Sequence, residues 1–447
     1  MPAFTYTGAL QTLTIPGGVC RVTIQAQGAA GGSNLFYSSF DEDGGGLGAS
    51  IQGTFAVAPG DVLSIVVGGQ GGDTPDINEP NGGGGGGGGS FVWQGSSFGE
   101  LNPSTLLVAA GGGGGGAGFD FGEDDSGSAS GGSGMIGSIG QDGGNAAGGF
   151  GAGGTAGNGG SGGNGGMMAG LGGGGGGGGG INFNGGNGFG NAGGDGGVSI
   201  VAGGAGGAGG VGAMGDYIGG DGGFGGGGGG SDRNGGGGGG FSGGGGGTGV
   251  GFFVAAGGGG GGGSFNGGTN PVHMEGVRAG NGIVEIIYEA PTLTCSNITV
   301  ANDRGACGAN VTYNELETCP GLDVTCSPAS GSFFSVGTTT VTCTAMDTVG
   351  GSTTCRFIVT VIDTEPPEIS GLNDIDVETN DPNGTVVTYP DPIVTDNCPG
   401  EITVTCSPAS GSFFPFGMTT VTCTATDPSG NTATETFTVF VTSSQEE

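Results

Sequence analysis

The sequence predicts an all-β protein in which a β framework carries a bundle of polyglycine helices and is followed by two immunoglobulin-like β-sandwiches. Three observations lead there. Glycine supplies 128 of 447 residues. Inside the glycine-rich stretches, other residue types recur at every third position. Near the C-terminus, "VTCSPASGSFF" at Val324–Phe334 returns at Val404–Phe414, an offset of 80 residues.

The framework comes first. "AFTYTG", "LQTLTIP", "VCRVTIQAQG", "ASIQGTFAVAPG" and "VLSIVVGG" are rich in Thr, Val, Ile and aromatics and are broken by Gly and Pro, the pattern of short strands. Further apolar segments, "SFVWQG", "TLLVAAGG", "GFFVAAGG" and "GIVEIIYEA", interrupt the glycine tracts and read as strands threading the same framework.

The tracts keep a different period. Ala152, Thr155, Asn158, Ser161, Asn164 and Met167 stand three apart, as do Ala202, Ala205, Ala208, Val211 and Met214. Helices repeat at about 3.6 residues and strands at 2. A period of three belongs to the polyproline II geometry, which makes no internal hydrogen bonds. Collagen shares that period but needs one glycine per triplet and abundant proline. Here most triplets hold two glycines, and no proline lies between Pro103 and Pro271. A helix bare of side chains on most faces can be approached from several sides, and each backbone N–H and C=O must then pair with a neighbouring helix. Ordering a residue costs about 1–2 kcal/mol, and one hydrogen bond returns about 0.5–1.5 kcal/mol. A lone tract is therefore expected to be disordered, and a bundle to persist only where a packed framework anchors its ends.

The run "FTYTGALQTLTIPGGVCRVTIQAQGAAGG", followed by "GASIQGTFAVAPGDVLSIVVGGQGG" and "TLLVAAGGGGGG", resembles bacterial and viral glycine-rich surface proteins. It also resembles, with "GGFGGGGGGSDRNGGGGGGFSGG", the glycine-rich extracellular domain of anaplastic lymphoma kinase-type receptors, and is similar to certain phage tail-tip adhesins. The resemblance implies a jelly-roll-like β part fused to packed polyglycine helices, in a protein that binds or displays; it does not imply catalysis.

Each copy of the 80-residue repeat has short Thr/Val strands and Gly/Pro turns, which points to an Ig-like sandwich. The copies are joined by the Pro-stiffened "IDTEPPEI". With "DNC", "GTTTVTCTAMD" and "TATDPSGNTAT", both resemble the hyalin repeat module, which implies an extracellular, adhesive or structural role. The expected division is 1–290 for the glycine-rich domain, 291–364 for the first module and 365–447 for the second.

Nine of the ten cysteines lie from Cys295 onward, as in proteins of oxidising compartments. The spacing Cys326–Cys343 equals Cys406–Cys423, so these pairs are expected to be disulfides between neighbouring strands. Six cysteines in the first module leave 15 pairings open. Cys20 and Cys398 are then left over, either buried and inert or linking one chain to the next. "MPAFTYTGALQTLTIP" has neither the charged nor the apolar region of a leader. The expectation is a removed leader or another exit from the cell, such as lysis in the case of a virion component.

Thirty-nine carboxylates against five arginines, with no lysine, give a net charge of −34. Such a chain repels phosphate backbones, so nucleic acid is excluded as a partner. The apolar strings are too short to span a bilayer, so no membrane insertion is expected. His273 is the only histidine, and "PVHMEG" offers it no nucleophile. Lysine-based motifs are absent, no cysteine spacing fits zinc, and an enzyme is not expected. No cofactor is called for. The acidic clusters Asp41–Asp43 and Glu123–Asp125 carry the oxygens calcium takes, but no calcium-loop motif surrounds them. The candidate partner-binding loops mix aromatics with acids: Phe36, Tyr37, Phe40 and Asp41 in one, Phe119, Asp120, Phe121 and Asp124 in the other. The functional expectation is a non-enzymatic virion fibre or adhesin, located outside the cell or on a virion surface. Its expected partners are further copies of itself and a cell-surface receptor or glycan. The alternative is a subunit of a self-assembling extracellular filament or matrix.

Overall fold

The computed structural model describes residues 2–33, 44–74, 82–117, 131–135, 137–141, 152–155, 157–161, 175–189, 193–211, 219–231, 234–247, 256–313, 319 and 322–444. Apart from one short 3-10 turn at Phe98–Glu100, all regular elements among them are strands. The chain divides into two compact units. The first comprises Met1–Pro291 with Cys319–Gly321 and Asp347–Gly351, and the second holds the rest from Thr292 onward.

The first unit rests on two five-stranded antiparallel sheets. One runs Ala3–Thr5, Ile283–Tyr288, Arg21–Gln27, Gly48–Ala56, Thr269–Arg278 in spatial order. The other runs Gln11–Thr14, Val62–Val66, Ser90–Gln94, Leu106–Ala110, Phe265–Asn266. Side chains alternate across a strand, and the sequence uses this to cover both faces of the second sheet. Leu63, Ile65, Val92 and Val108 share a core with Ile24, Ile51 and Ile286 of the first sheet. Phe91, Trp93 and Leu106 point the other way, into a second core closed by Ile181 and Ile200 from the glycine-rich stretch.

The glycine tracts run directly off these strands, and their hydrogen bonds repeat with a period of three. In the run 83–89, the amides of Gly84 and Gly87 donate to Gly116 and Gly113, and those of Gly85 and Gly88 to Gly72 and Gly69. Gly83, Gly86 and Gly89 donate to Ser231, Gly228 and Gly225, all seven bonds measuring 2.7–3.0 Å. Three neighbouring stretches are thus engaged in rotation. The run 235–240 does the same: Gly235 and Gly238 bond to Gly257 and Gly260, Gly236 and Gly239 to Gly84 and Gly87, and Gly237 and Gly240 to Gly176 and Gly179.

Contacts are so close that a Cβ has no place. A methyl group at Gly85 would lie 2.1 Å from the Asp221 carbonyl oxygen, and one at Gly238 would lie 2.2 Å from that of Gly112. In two stretches side chains follow the same beat. Thr155, Asn158 and Ser161, and likewise Ala205, Ala208 and Val211, are exposed, while Gly154, Gly160, Gly207 and Gly210 are buried.

The second unit contains two similar modules. In the first, Ile298–Ala301, Ser352–Ile362, Gly337–Met346 and Asp323–Ser327 form one sheet, and Gly308–Val311 pairs with Ser332–Ser335. In the second, Ile375–Thr379, Thr432–Ser443, Gly417–Thr426 and Thr403–Ser407 repeat the sheet, and Thr385–Val387 pairs with Ser412–Phe414. Each core has a Phe at its centre, Phe334 in one and Phe414 in the other. Tyr313 packs edge-on against Phe357 and Tyr389 against Phe437, with centroids 5.1 and 5.0 Å apart. Each tyrosine hydroxyl donates to the carbonyl of the proline in the repeated "SPASG" turn, Pro328 or Pro408. That turn needs glycine: Gly331 and Gly411 have φ of 83° and 85°, a region that side chains with a Cβ rarely enter.

Candidate functional site

The aromatic and acidic loops singled out from the sequence (Phe36, Tyr37, Phe40 and Asp41; Phe119, Asp120, Phe121 and Asp124) lie outside the described residues. His273 sits on the exposed edge strand Thr269–Arg278, and its Nε2 lies 3.0 Å from the side-chain amide nitrogen of Asn266. An amide neither relays a proton nor acts as a nucleophile, so this contact is structural.

All ten cysteines are paired. Cys326 faces Cys343 and Cys406 faces Cys423, each pair directly opposed on neighbouring strands with Cα atoms 4.0 Å apart. Cys295 pairs with Cys355, 60 residues on. Cys20 and Cys398 require a correction. Neither is left over: Cys20 is bonded to Cys319, 299 residues away and within the first unit, and Cys398 to Cys307, 91 residues away. Partners this remote are brought together by the tertiary fold, and local spacing carries no trace of them.

The Cys307–Cys398 bond belongs to a polar junction inside the second unit. The linker residue Asp363 is 3% exposed. Its backbone carbonyl accepts from Asn431 Nδ2 at 3.1 Å, and that amide also donates to Asp427 Oδ2 at 2.8 Å. The next linker amide, Thr364 N–H, donates to Asn302 Oδ1 at 2.9 Å. The Glu365 carboxylate accepts the Gly305 N–H, at 2.8 and 3.0 Å to its two oxygens. Asn397 Nδ2 and Asn302 Nδ2 both donate to the Ala306 carbonyl at 3.1 Å. Loops of both modules thus converge on the linker. Oxygens of Asp363 and Asp396 and the Cys398 sulfur all lie within 4.8 Å of one another. A cavity of about 450 Å³ opens beside them, lined in part by Cys307, Cys398, Pro428 and Ser429. From the sequence, "IDTEPPEI" reads only as a stiff linker. The signal available was a pair of acids, Asp363 and Asp396, each at the edge of a recurring Thr/Val strand.

Elsewhere in the second module, burial pushes the Tyr389 hydroxyl above its ordinary value, helped by the nearby Asp391 carboxylate. Its outer surface carries an apolar pair, Val386 opposite Phe413, 60% and 53% exposed.

The geometry defines a class: small β-sandwich modules in tandem, each stapled by disulfides and joined by a short polar junction. Residues 288–361 and 362–441 each match the HYR domain, so the chain carries two HYR domains in succession. The matching stretch is 36% identical over 171 residues to hyalin of Lytechinus variegatus, covering 36% of this chain and 32% of that protein. It is 35% identical over 158 residues to a Rattus norvegicus protein, sushi, von Willebrand factor type A, EGF and pentraxin domain-containing protein 1, covering 33% of this chain and 4% of that one. The chain therefore spans a third or less of these relatives. Among solved structures, mouse cadherin-23 is similar over 40% of this chain and 73% of that fragment, at 16% identity and a TM-score of 0.20. The protocadherin gamma-B4 extracellular domain is similar at 16% identity and a TM-score of 0.22, over 39% of this chain and 35% of that one. Likenesses at such TM-scores carry no inference about this chain.

Proposed function

We propose that this chain is a non-enzymatic extracellular adhesion protein that carries a rigid glycine-rich head on two HYR domains. The observation that carries the reading is the tandem HYR pair with every cysteine of the chain in a disulfide. Such a chain is built for an oxidising exterior. HYR domains are adhesion-type modules and not enzymes, and the only histidine contacts an amide. In this reading the chain has three parts, 1–290, 291–364 and 365–447. The glycine tracts of the first are polyglycine II helices held on a jelly-roll-like framework. Support comes from amides that bond to three neighbours in rotation and from shared sheet cores. The head is stiff and the HYR domains present it, as a virion fibre or a cell-surface adhesin would.

The test uses the whole chain, purified without reductant. Coupled to beads, it is expected to bind target cells or to aggregate the beads, and the reduced chain to do neither. Beads that neither aggregate nor bind any cell surface would sink the adhesive reading. Size-exclusion chromatography and negative-stain microscopy separate the alternative, a filament or matrix subunit, which predicts fibres where an adhesin gives discrete particles.

A further inference from the structure

We propose that Asp363 and Asp396 hold a divalent cation, calcium in an extracellular setting, at the junction of the two HYR domains. Asp363 is 3% exposed and one of its oxygens lies within 4.8 Å of a carboxylate oxygen of Asp396. The Oδ2 of Asp396 is sealed from solvent and accepts no hydrogen bond, while its Oδ1 accepts the Cys398 N–H at 2.8 Å. The oxygens of Asp363 are held only by long contacts, 3.3 Å from the Glu365 N–H and 3.2 Å from Ser429 Oγ, at the outer edge of hydrogen-bond distance. Among the described residues, no cationic side chain pairs with either carboxylate. Two close carboxylates, one buried and one with an orphaned oxygen, are unfavourable unless a cation or a shared proton compensates them.

The donor set selects the kind of cation. The nearby Cys398 sulfur belongs to the disulfide with Cys307, so it offers no thiolate. Only hard oxygen donors remain: the two carboxylates, Ser429 Oγ and water. These suit calcium and not zinc or copper. A site with so few protein ligands belongs with the weak extracellular calcium sites, with Kd about 10⁻⁴–10⁻³ M. A bound ion would link the linker to the loop after Ile393–Thr395, closing the junction that the Cys307–Cys398 bond already spans. The proposal does not depend on what the head binds.

The experiment is differential scanning calorimetry of the full oxidised chain, stripped with chelator and titrated with calcium chloride at physiological ionic strength. At calcium ten times Kd, the folding equilibrium of the HYR pair is expected to shift about tenfold. Asp396→Asn and Asp363→Asn should each abolish that response, and the exposed Asp376→Asn should keep it. Without calcium, the neutral Asp396→Asn should melt no lower than the parent, because the like-charge pair is gone. This also shows that the variant folds. Equal melting with and without calcium would overturn the proposal. So would a calcium response that survives both junction variants, the mark of diffuse binding to an acidic surface, or a response to zinc in place of calcium.

Discussion

Replacing Gly176 by alanine tests whether the glycine tracts are packed. A methyl group there would lie 2.0 Å from the Asp195 carbonyl oxygen and 2.4 Å from its carbon. Ordinary contact begins at 3.4 Å, so one backbone has to withdraw by about 1.4 Å. Neither can do so cheaply. The Gly176 N–H donates to Gly229 O at 2.9 Å, Gly176 O accepts from Gly237 N at 2.9 Å, and the blocking Asp195 O accepts from Gly229 N at 2.8 Å. Withdrawing Gly176 breaks the first two, and withdrawing Asp195 breaks the third. Each buried amide left unpaired costs about 1–3 kcal/mol, so the substitution costs roughly 1–6 kcal/mol, according to which backbone moves. A whole domain is stable by only about 5–15 kcal/mol, so the first unit should melt below the parent or fail to fold. The control is Gly137→Ala, where no atom lies within 4 Å of the added methyl. It should change stability by no more than about 0.5 kcal/mol. Thermal melts followed by hydrogen exchange on peptides from residues 175–240 locate the loss. If Gly176→Ala and Gly137→Ala melt together, the tracts are not packed as described and the reasoning fails.

Two further predictions concern the modules and the sheets. Removing the Cys406–Cys423 bond in the double alanine variant opens a 17-residue loop and should cost about 3 kcal/mol in a urea titration of the second module. A loss below the error of the titration would contradict it. Because Cys20 and Cys398 are paired within the chain, non-reducing gels should show a monomer, and a reductant-sensitive ladder would refute those pairings. Burial raises the Tyr288 hydroxyl above its ordinary 10.0. A group whose folded value is raised contributes stability that is present below pH 10 and lost as pH climbs through the folded value. Melting temperature should therefore fall above pH 10, and Tyr288→Phe should flatten the fall. An unchanged slope in that variant would assign the alkaline loss elsewhere.

The tandem modules were legible in the sequence because their signals are local. A repeated turn, a repeated cysteine spacing and alternating Thr/Val strands each span fewer than twenty residues, and the register of Cys326 with Cys343 follows from one hairpin. The all-β framework was legible for the same reason. Three of the disulfides were not, since Cys20, Cys295 and Cys307 find partners 299, 60 and 91 residues on. The junction was hidden too. Asp363 stands in a segment whose prolines announce stiffness, and its proximity to Asp396 arises only when the second module folds back on the linker. Of the site residues read from the sequence, the aromatic loops fall outside what the structure describes.

The period of three in the tracts has a physical origin in how many neighbours each tract has. A run enclosed on all sides bonds in three directions, and every phase meets another backbone. The runs 82–89 and 235–240 are of this kind: every residue is glycine and every one is buried. A run at the edge of the array lacks a neighbour on one side, so one phase in three is free to carry a side chain. Residues 205–211 show the consequence, with Ala205, Ala208 and Val211 exposed and Gly207 and Gly210 buried. Unbroken glycine therefore marks an interior tract, and the triplet beat marks an edge. Nothing in a tract itself favours order, because the cost of fixing glycine about matches the return from its hydrogen bonds. The surplus has to come from side chains such as Ile181 and Ile200, which drop from the array into the Trp93 core. A polar residue at either position should loosen the tracts beside it without touching a single glycine.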